Sequence, residues 1–74
     1  DIEKPDLIKI DVEGSEYNII THSTIFKKTP FLLIEWHFPN IDFNKFYSQY
    51  LPNHEIIYKE KQYLGGQYLL KLKK

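Results

Sequence analysis

The stretch DLIKIDVEGSEY, residues 6–17, decides the fold. Leu7, Ile8, Ile10 and Val12 form a short, stiff apolar run, and Lys9, Asp11 and Glu13 are set into it. With a period of two, Ile8, Ile10 and Val12 share one face of a strand over 6–12, and Leu7, Lys9, Asp11 and Glu13 share the other. Charges are costly in a covered strand unless they are paired. Three of them in seven residues call for partners elsewhere in the chain. Gly14-Ser15 turns the backbone, Ser15 is placed to cap, and Glu16 suits the first turn of a helix over 16–22. Tyr17 and Ile20 face inward on that helix.

Outward from this stretch, PFLLIEWH at 30–37 supplies the partners. Pro30 punctuates, and residues 31–37 read as a second strand. It is apolar for four residues running, which suits a parallel strand covered on both faces. DFNKFYSQYL at 42–51 places Phe43, Phe46, Tyr47, Tyr50 and Leu51 on one helical face, with Asp42 as cap and Pro52 as stop. HEIIYKE at 54–60 and QYLLKLK at 67–73 read as two strands, with Gly65-Gly66 in the turn of an antiparallel hairpin. The order strand–helix–strand–helix–strand–strand gives an α/β class in which parallel strands end in one antiparallel hairpin.

Composition narrows the function classes. The 74 residues suggest one domain or part of one, and a chain this short buries only about 60% of its unfolded surface. At 42% hydrophobic it is globular. Ten basic residues, all lysine, balance ten acidic ones, so nothing draws the chain to nucleic acid or to an anionic membrane. Cysteine is absent, which removes disulfides and thiolate metal sites. No apolar run approaches a membrane span, and these residues show no signal-peptide pattern, so any targeting segment is expected upstream. Methionine is absent too, so the chain is expected to be a piece of something longer. Its compartment is not legible from these residues, and the cytoplasm is the default expectation.

The charges can be matched if the first two strands are parallel neighbours. Lys9 and Asp11 share a face, as do Glu35 and His37. Aligning the strand ends sets Lys9 level with Glu35 and Asp11 level with His37. That makes a buried ion pair low in the sheet and a carboxylate–imidazole pair at its carboxyl end, where α/β sheets bind ligands. Asp11, Glu13 and His37 then stand at the rim. Structural roles account for the same residues: a paired core charge for Lys9 and Glu35, a helix-dipole complement for Asp11 and Glu13, and an ordinary satisfied imidazole for His37. His22 and His54 have no partner in the pattern and are expected on the solvated surface. Tyr58, Tyr63 and Tyr68 are expected to pack in the hairpin.

These segments resemble those of a known family. DLIKIDVEGSEY is similar to the hallmark of FkbM-type methyltransferases, Ile-Lys-Ile-Asp-Val-Glu-Gly-x-Glu, over residues 8–16. PFLLIEWH resembles the family's next strand, which commonly ends in Glu-x-His. The resemblance implies a class I, Rossmann-like, S-adenosylmethionine-dependent methyltransferase acting on a hydroxyl of a small molecule or sugar. It implies that residues 1–74 are a partial domain, strands four to seven, and that the N-terminal cofactor-binding half lies outside them. On that basis the isolated chain is expected to be inactive. By position, Asp11 and His37 correspond to catalytic residues next to the transferring methyl group, with Asp11 and Glu13 toward the cofactor. Lys9, Glu35 and Gly14 give structural support, and no metal is called for. The family's Lys-Gly-Ala-like turn is replaced here by Thr21-His22-Ser23, so the helix end at 21–29 is expected to differ in shape. With the first strand missing, residues 6–12 become a sheet edge through which the isolated chain could form a homodimer. Two other classes fit the residues: a metal-dependent nucleotide-sugar glycosyltransferase using Asp11-Val12-Glu13, and a non-catalytic half-domain that binds a partner.

Overall fold

Period-two apolar runs and one strong amphipathic helix build the fold seen in a computed structural model, which describes residues 6–62 and 65–73. In chain order the elements are β1 (Leu7–Val12), α1 (Glu16–His22), α2 (Ile25–Lys28), β2 (Phe31–Trp36), α3 (Phe43–Tyr50), β3 (His54–Gln62) and β4 (Gly65–Leu72). The strands form one sheet in the order β1-β2-β4-β3. β1 and β2 are parallel, β2 and β4 antiparallel, and β3 and β4 make the hairpin. The expected α/β class and its closing hairpin are therefore present, and β1 lies at a sheet edge.

The helices pack on one face only. Val12, Leu32, Ile34, Trp36, Tyr68 and Leu70 from the strands meet Ile20, Phe26, Phe43 and Phe46 from the three helices in a single core. β2 therefore alternates: Leu32, Ile34 and Trp36 are buried, and Leu33 and Glu35 are half-exposed. This corrects the expectation of a strand covered on both faces. An apolar run shows that a strand is rich in hydrophobes but not that both of its faces are covered.

α3 forms where its pattern says it should. Asp42 accepts a hydrogen bond from the Asn44 amide at 3.1 Å, and Leu51 ends the helix. α2 was not foreseen as a helix. Its one turn puts Phe26 into the core, and the Thr29 hydroxyl donates to Ile25 O at 2.7 Å.

Three further expectations are overturned. Gly65 and Gly66 lie inside β4, paired with Gln62 and Lys61, rather than in the turn. A Cβ on Gly65 would sit 1.6 Å from the Trp36 carbonyl oxygen, so glycine is needed there to let β4 approach the end of β2. Tyr68 packs as expected, but Tyr58 is exposed, because a bulge between Ile56 and Tyr58 resets which side chains point inward. Tyr63 lies outside the described residues.

His54 is fully buried, not solvated. Its Nε2–H donates to Thr29 O at 2.8 Å, and its own carbonyl accepts from the Tyr47 hydroxyl. It thus latches the loop before β2 to the start of β3. His54 Nδ1 is left without a partner among the described residues. Nothing in the local sequence marks this role, because both partners are distant in the chain. His54→Ala opens a cavity and strands the Thr29 carbonyl. It should destabilise by about 2–4 kcal/mol in chemical denaturation. A loss below about 1 kcal/mol would show the latch to be idle.

Candidate functional site

Burial of Ile34 and Trp36 forces Glu35 and His37 onto the opposite, helix-free face of the sheet. Burial of Val12 does the same for Asp11 and Lys9. The register differs from the simple alignment. Lys9 is level with Leu33 and Asp11 with Glu35, a shift of two residues. The ladder runs one residue past β2, where the His37 amide donates to Val12 O at 2.8 Å. The expected partners still meet, but diagonally. Lys9 Nζ lies 3.8 Å from Glu35 Oε1, and Asp11 Oδ1 lies 3.9 Å from His37 Nε2. His37 Nε2 also lies 3.5 Å from Glu35 Oε2.

Two separate pairs were expected, and one connected row is found: Lys9, Glu35, His37, Asp11. Glu35 joins the two pairs, and this is the contribution that level pairing hid. The spacing of two between Glu35 and His37 was the available signal. The Lys9 side chain is 65% exposed and that of Glu35 only 26%, so the pair is not the buried one expected. Exposed pairs of this kind contribute little. Lys9→Met should change stability by less than about 1 kcal/mol. A loss of several kcal/mol in the same denaturation assay would restore the buried-pair account.

The turn after β1 fixes Asp11 relative to the first helix. Gly14 has φ 152°, a conformation that side chains rarely adopt. Ser15 sits at the cap position but makes no side-chain cap bond, contrary to expectation. Glu16 does the work instead, its Oε1 accepting the Glu13 amide at 3.0 Å, and the Tyr17 amide closes on Gly14 O at 3.1 Å. The Glu13 amide bond, above other smaller contributions, holds the Glu16 carboxyl below its ordinary value. Because the folded value is depressed, this support is present above the ordinary glutamate range and is lost as pH falls through the folded value. In an NMR titration the Glu13 amide should move with an acidic midpoint below that range. Glu16→Gln should abolish the movement, and a midpoint at the ordinary value would contradict the bond. Glu13 itself is exposed, and none of the ion pairs at the rim includes it. His22 is exposed as expected, with Nδ1 2.8 Å from Asn18 O.

Chemically, the rim offers an imidazole between two carboxylates at the carboxyl ends of two parallel strands. Such a group can take a proton and hold the resulting charge. One ligand atom from each of Asp11, Glu35 and His37 lies within 4.8 Å of the others, so the same three side chains are also spaced to meet on one divalent cation. The model of the methyltransferase FkbM domain matches residues 1–68. The chain belongs to the FkbM methyltransferase family. No curated protein and no solved structure matches it at a significant level. In this FkbM domain the hallmark segment is β1 with the Gly14 turn, and the Glu-x-His segment is the end of β2. The two family motifs are thus adjacent strand ends that build one rim. None of the helices among the described residues is long and apolar enough to cross a membrane.

Proposed function

We propose that the rim serves S-adenosylmethionine-dependent methylation of a hydroxyl oxygen on a small molecule or sugar. The observation that carries this is the position of His37 Nε2, 3.5 Å from Glu35 and 3.9 Å from Asp11 at the strand ends. Family membership supplies the reaction class. The strand pattern is compatible with strands four to seven of a Rossmann-like sheet: two parallel strands, a closing hairpin, and β1 at the edge where a first strand would add.

Methyl transfer to oxygen needs the acceptor aligned and its proton removed. His37 takes the hydroxyl proton, and the resulting imidazolium rests between Glu35 and Asp11. Asp11 orients the acceptor, and Lys9 steadies Glu35 from the outer side. S-adenosylmethionine, when bound, supplies an electrophilic methyl group on a positive sulfur. The residues present suit the charged end of that cofactor: Asp11 and Glu13 put carboxylates at the rim beside Gly14. The chain's three glycines form no Gly-x-Gly run, so recognition of the adenosyl part is not assigned to these residues.

A cation-dependent reaction is the rival, because the same donors could share a metal. Lys9 weighs against it. Its ammonium stands 3.8 Å from one Glu35 oxygen and already supplies positive charge there. In the full-length protein, His37→Ala and Asp11→Asn should each lower turnover by roughly 10²-fold with little change in cofactor affinity. Activity should survive exhaustive chelation. Full activity in both variants removes the base assignment, and loss on chelation that is restored by a divalent ion favours the metal.

A further inference from the structure

The two oxygens of Glu35 have different partners. Oε1 lies 3.8 Å from Lys9 Nζ, and Oε2 lies 3.5 Å from His37 Nε2. Asp11 Oδ1 stands 3.9 Å from the same ring nitrogen. Nε2 therefore faces two carboxylates. Glu35 is the better held of them. Its side chain is half-buried and one of its oxygens is anchored by an ammonium, whereas the Asp11 side chain is exposed.

A neutral imidazole has one N–H and one lone pair, and what faces each nitrogen decides which carries the proton. A lone pair at Nε2 would point at two negative charges, while an N–H there is attracted by both. The proton belongs on Nε2, and the lone pair on Nδ1. Turning the ring by half a revolution would aim a carbon at the carboxylates, so the same charges hold the rotamer. The backbone beside the ring is fixed as well. The His37 amide donates to Val12 O at 2.8 Å, and the Trp36 indole N–H donates to Phe38 O at 3.1 Å. Among the described residues only His54 Nδ1 is both sealed and without a partner, so His37 Nδ1, which has no hydrogen-bond partner there either, keeps an open face.

We propose that Glu35 is a positioning residue that holds His37 as its Nε2–H tautomer, and that Nδ1 is the atom that takes the acceptor's proton. This deepens the methyl-transfer reading and rests on it for the source of that proton. The proton passes from the acceptor oxygen to Nδ1. The O–H electron pair stays on oxygen for the bond to the incoming methyl carbon, whose former bonding pair stays on the cofactor's sulfur. Nδ1 afterwards returns the proton to water. The imidazolium formed in between already has its Nε2–H against two carboxylates, so the ring need not turn. A divalent cation held through Nε2 requires the opposite tautomer, because a ligating nitrogen gives up its proton.

Two measurements on the full-length protein test this. In 15N NMR with labelled histidine, the His37 ring is the one missing from His37→Ala. Kept neutral, it should show an N–H nitrogen at Nε2 and a lone-pair nitrogen at Nδ1. Iodoacetamide, an electrophile that adds to the lone pair, should alkylate His37 at Nδ1 in preference to Nε2. Glu35→Gln keeps the shape and removes the charge. It should lower the ratio of Nε2–H to Nδ1–H about threefold, the worth of one partly exposed charge contact, and shift alkylation toward Nε2. Asp11→Asn should move both less. An Nδ1–H ring in the unaltered protein, alkylation at Nε2, or a ratio that Glu35→Gln leaves unchanged overturns the proposal. So does a larger change in Asp11→Asn. Turnover in His37→Ala decides the methyl-transfer reading separately. Full turnover there removes the proton-taking role and leaves the tautomer standing, whereas an Nδ1–H ring in a protein that His37→Ala inactivates removes the tautomer and leaves that reading standing.

Discussion

Burial of Trp36 is the constraint on which the rest depends. Its rings meet Tyr17 from α1 and Phe43 and Phe46 from α3, and its indole N–H ties down the loop through Phe38 and Ile41. A strand alternates strictly, so seating residue 36 toward the helices sends residues 35 and 37 the other way. The same side chain therefore closes the core and sets the imidazole at the rim. The Trp36 backbone adds a third constraint, since β4 approaches its carbonyl oxygen so closely that only glycine fits at residue 65.

The rim is a row of charges rather than a set of pairs, and this follows from parallel geometry. In a parallel ladder the bonds between strands are slanted rather than perpendicular. Here Glu35 and His37 reach back along β1, to Lys9 and Asp11, rather than to the residues level with them. Glu35 sits level with Asp11 yet contacts Lys9 on one side and His37 on the other. One carboxylate shared in this way links a solvated lysine to a half-buried imidazole.

Much of this was legible in the order of residues. Period-two alternation at 6–12 and the apolar run at 31–37 gave the two strands, and spacings of two put Lys9 with Asp11 and Glu35 with His37 on shared faces. The Phe43–Leu51 spacing gave α3 with its Asp42 cap. The register could not be read, because alternation fixes the face but leaves shifts of two residues equivalent. The cover on β2 could not be read either, since it depends on which side the helices take. His54 and Tyr58 were misplaced for a common reason. Burial in β3 is set by a bulge and by a latch to Thr29, 25 residues away, and neither leaves a local pattern. The glycine pair was read as a turn, when one of its members is a point of close approach.

The two edges of the sheet are not alike. β3 carries a bulge and, beyond it, the exposed charges Lys59, Glu60 and Lys61. Bulges twist an edge away from a flat neighbour, and charges discourage one. β1 is regular over its six residues, and its side chains include Leu7, Ile8, Ile10 and Val12 with only Lys9 and Asp11 between them. The sheet is therefore unequally guarded: a further strand meets less obstruction beside β1 than beside β3. The less guarded edge is the one that carries Asp11, so sheet extension and the charged rim share one strand.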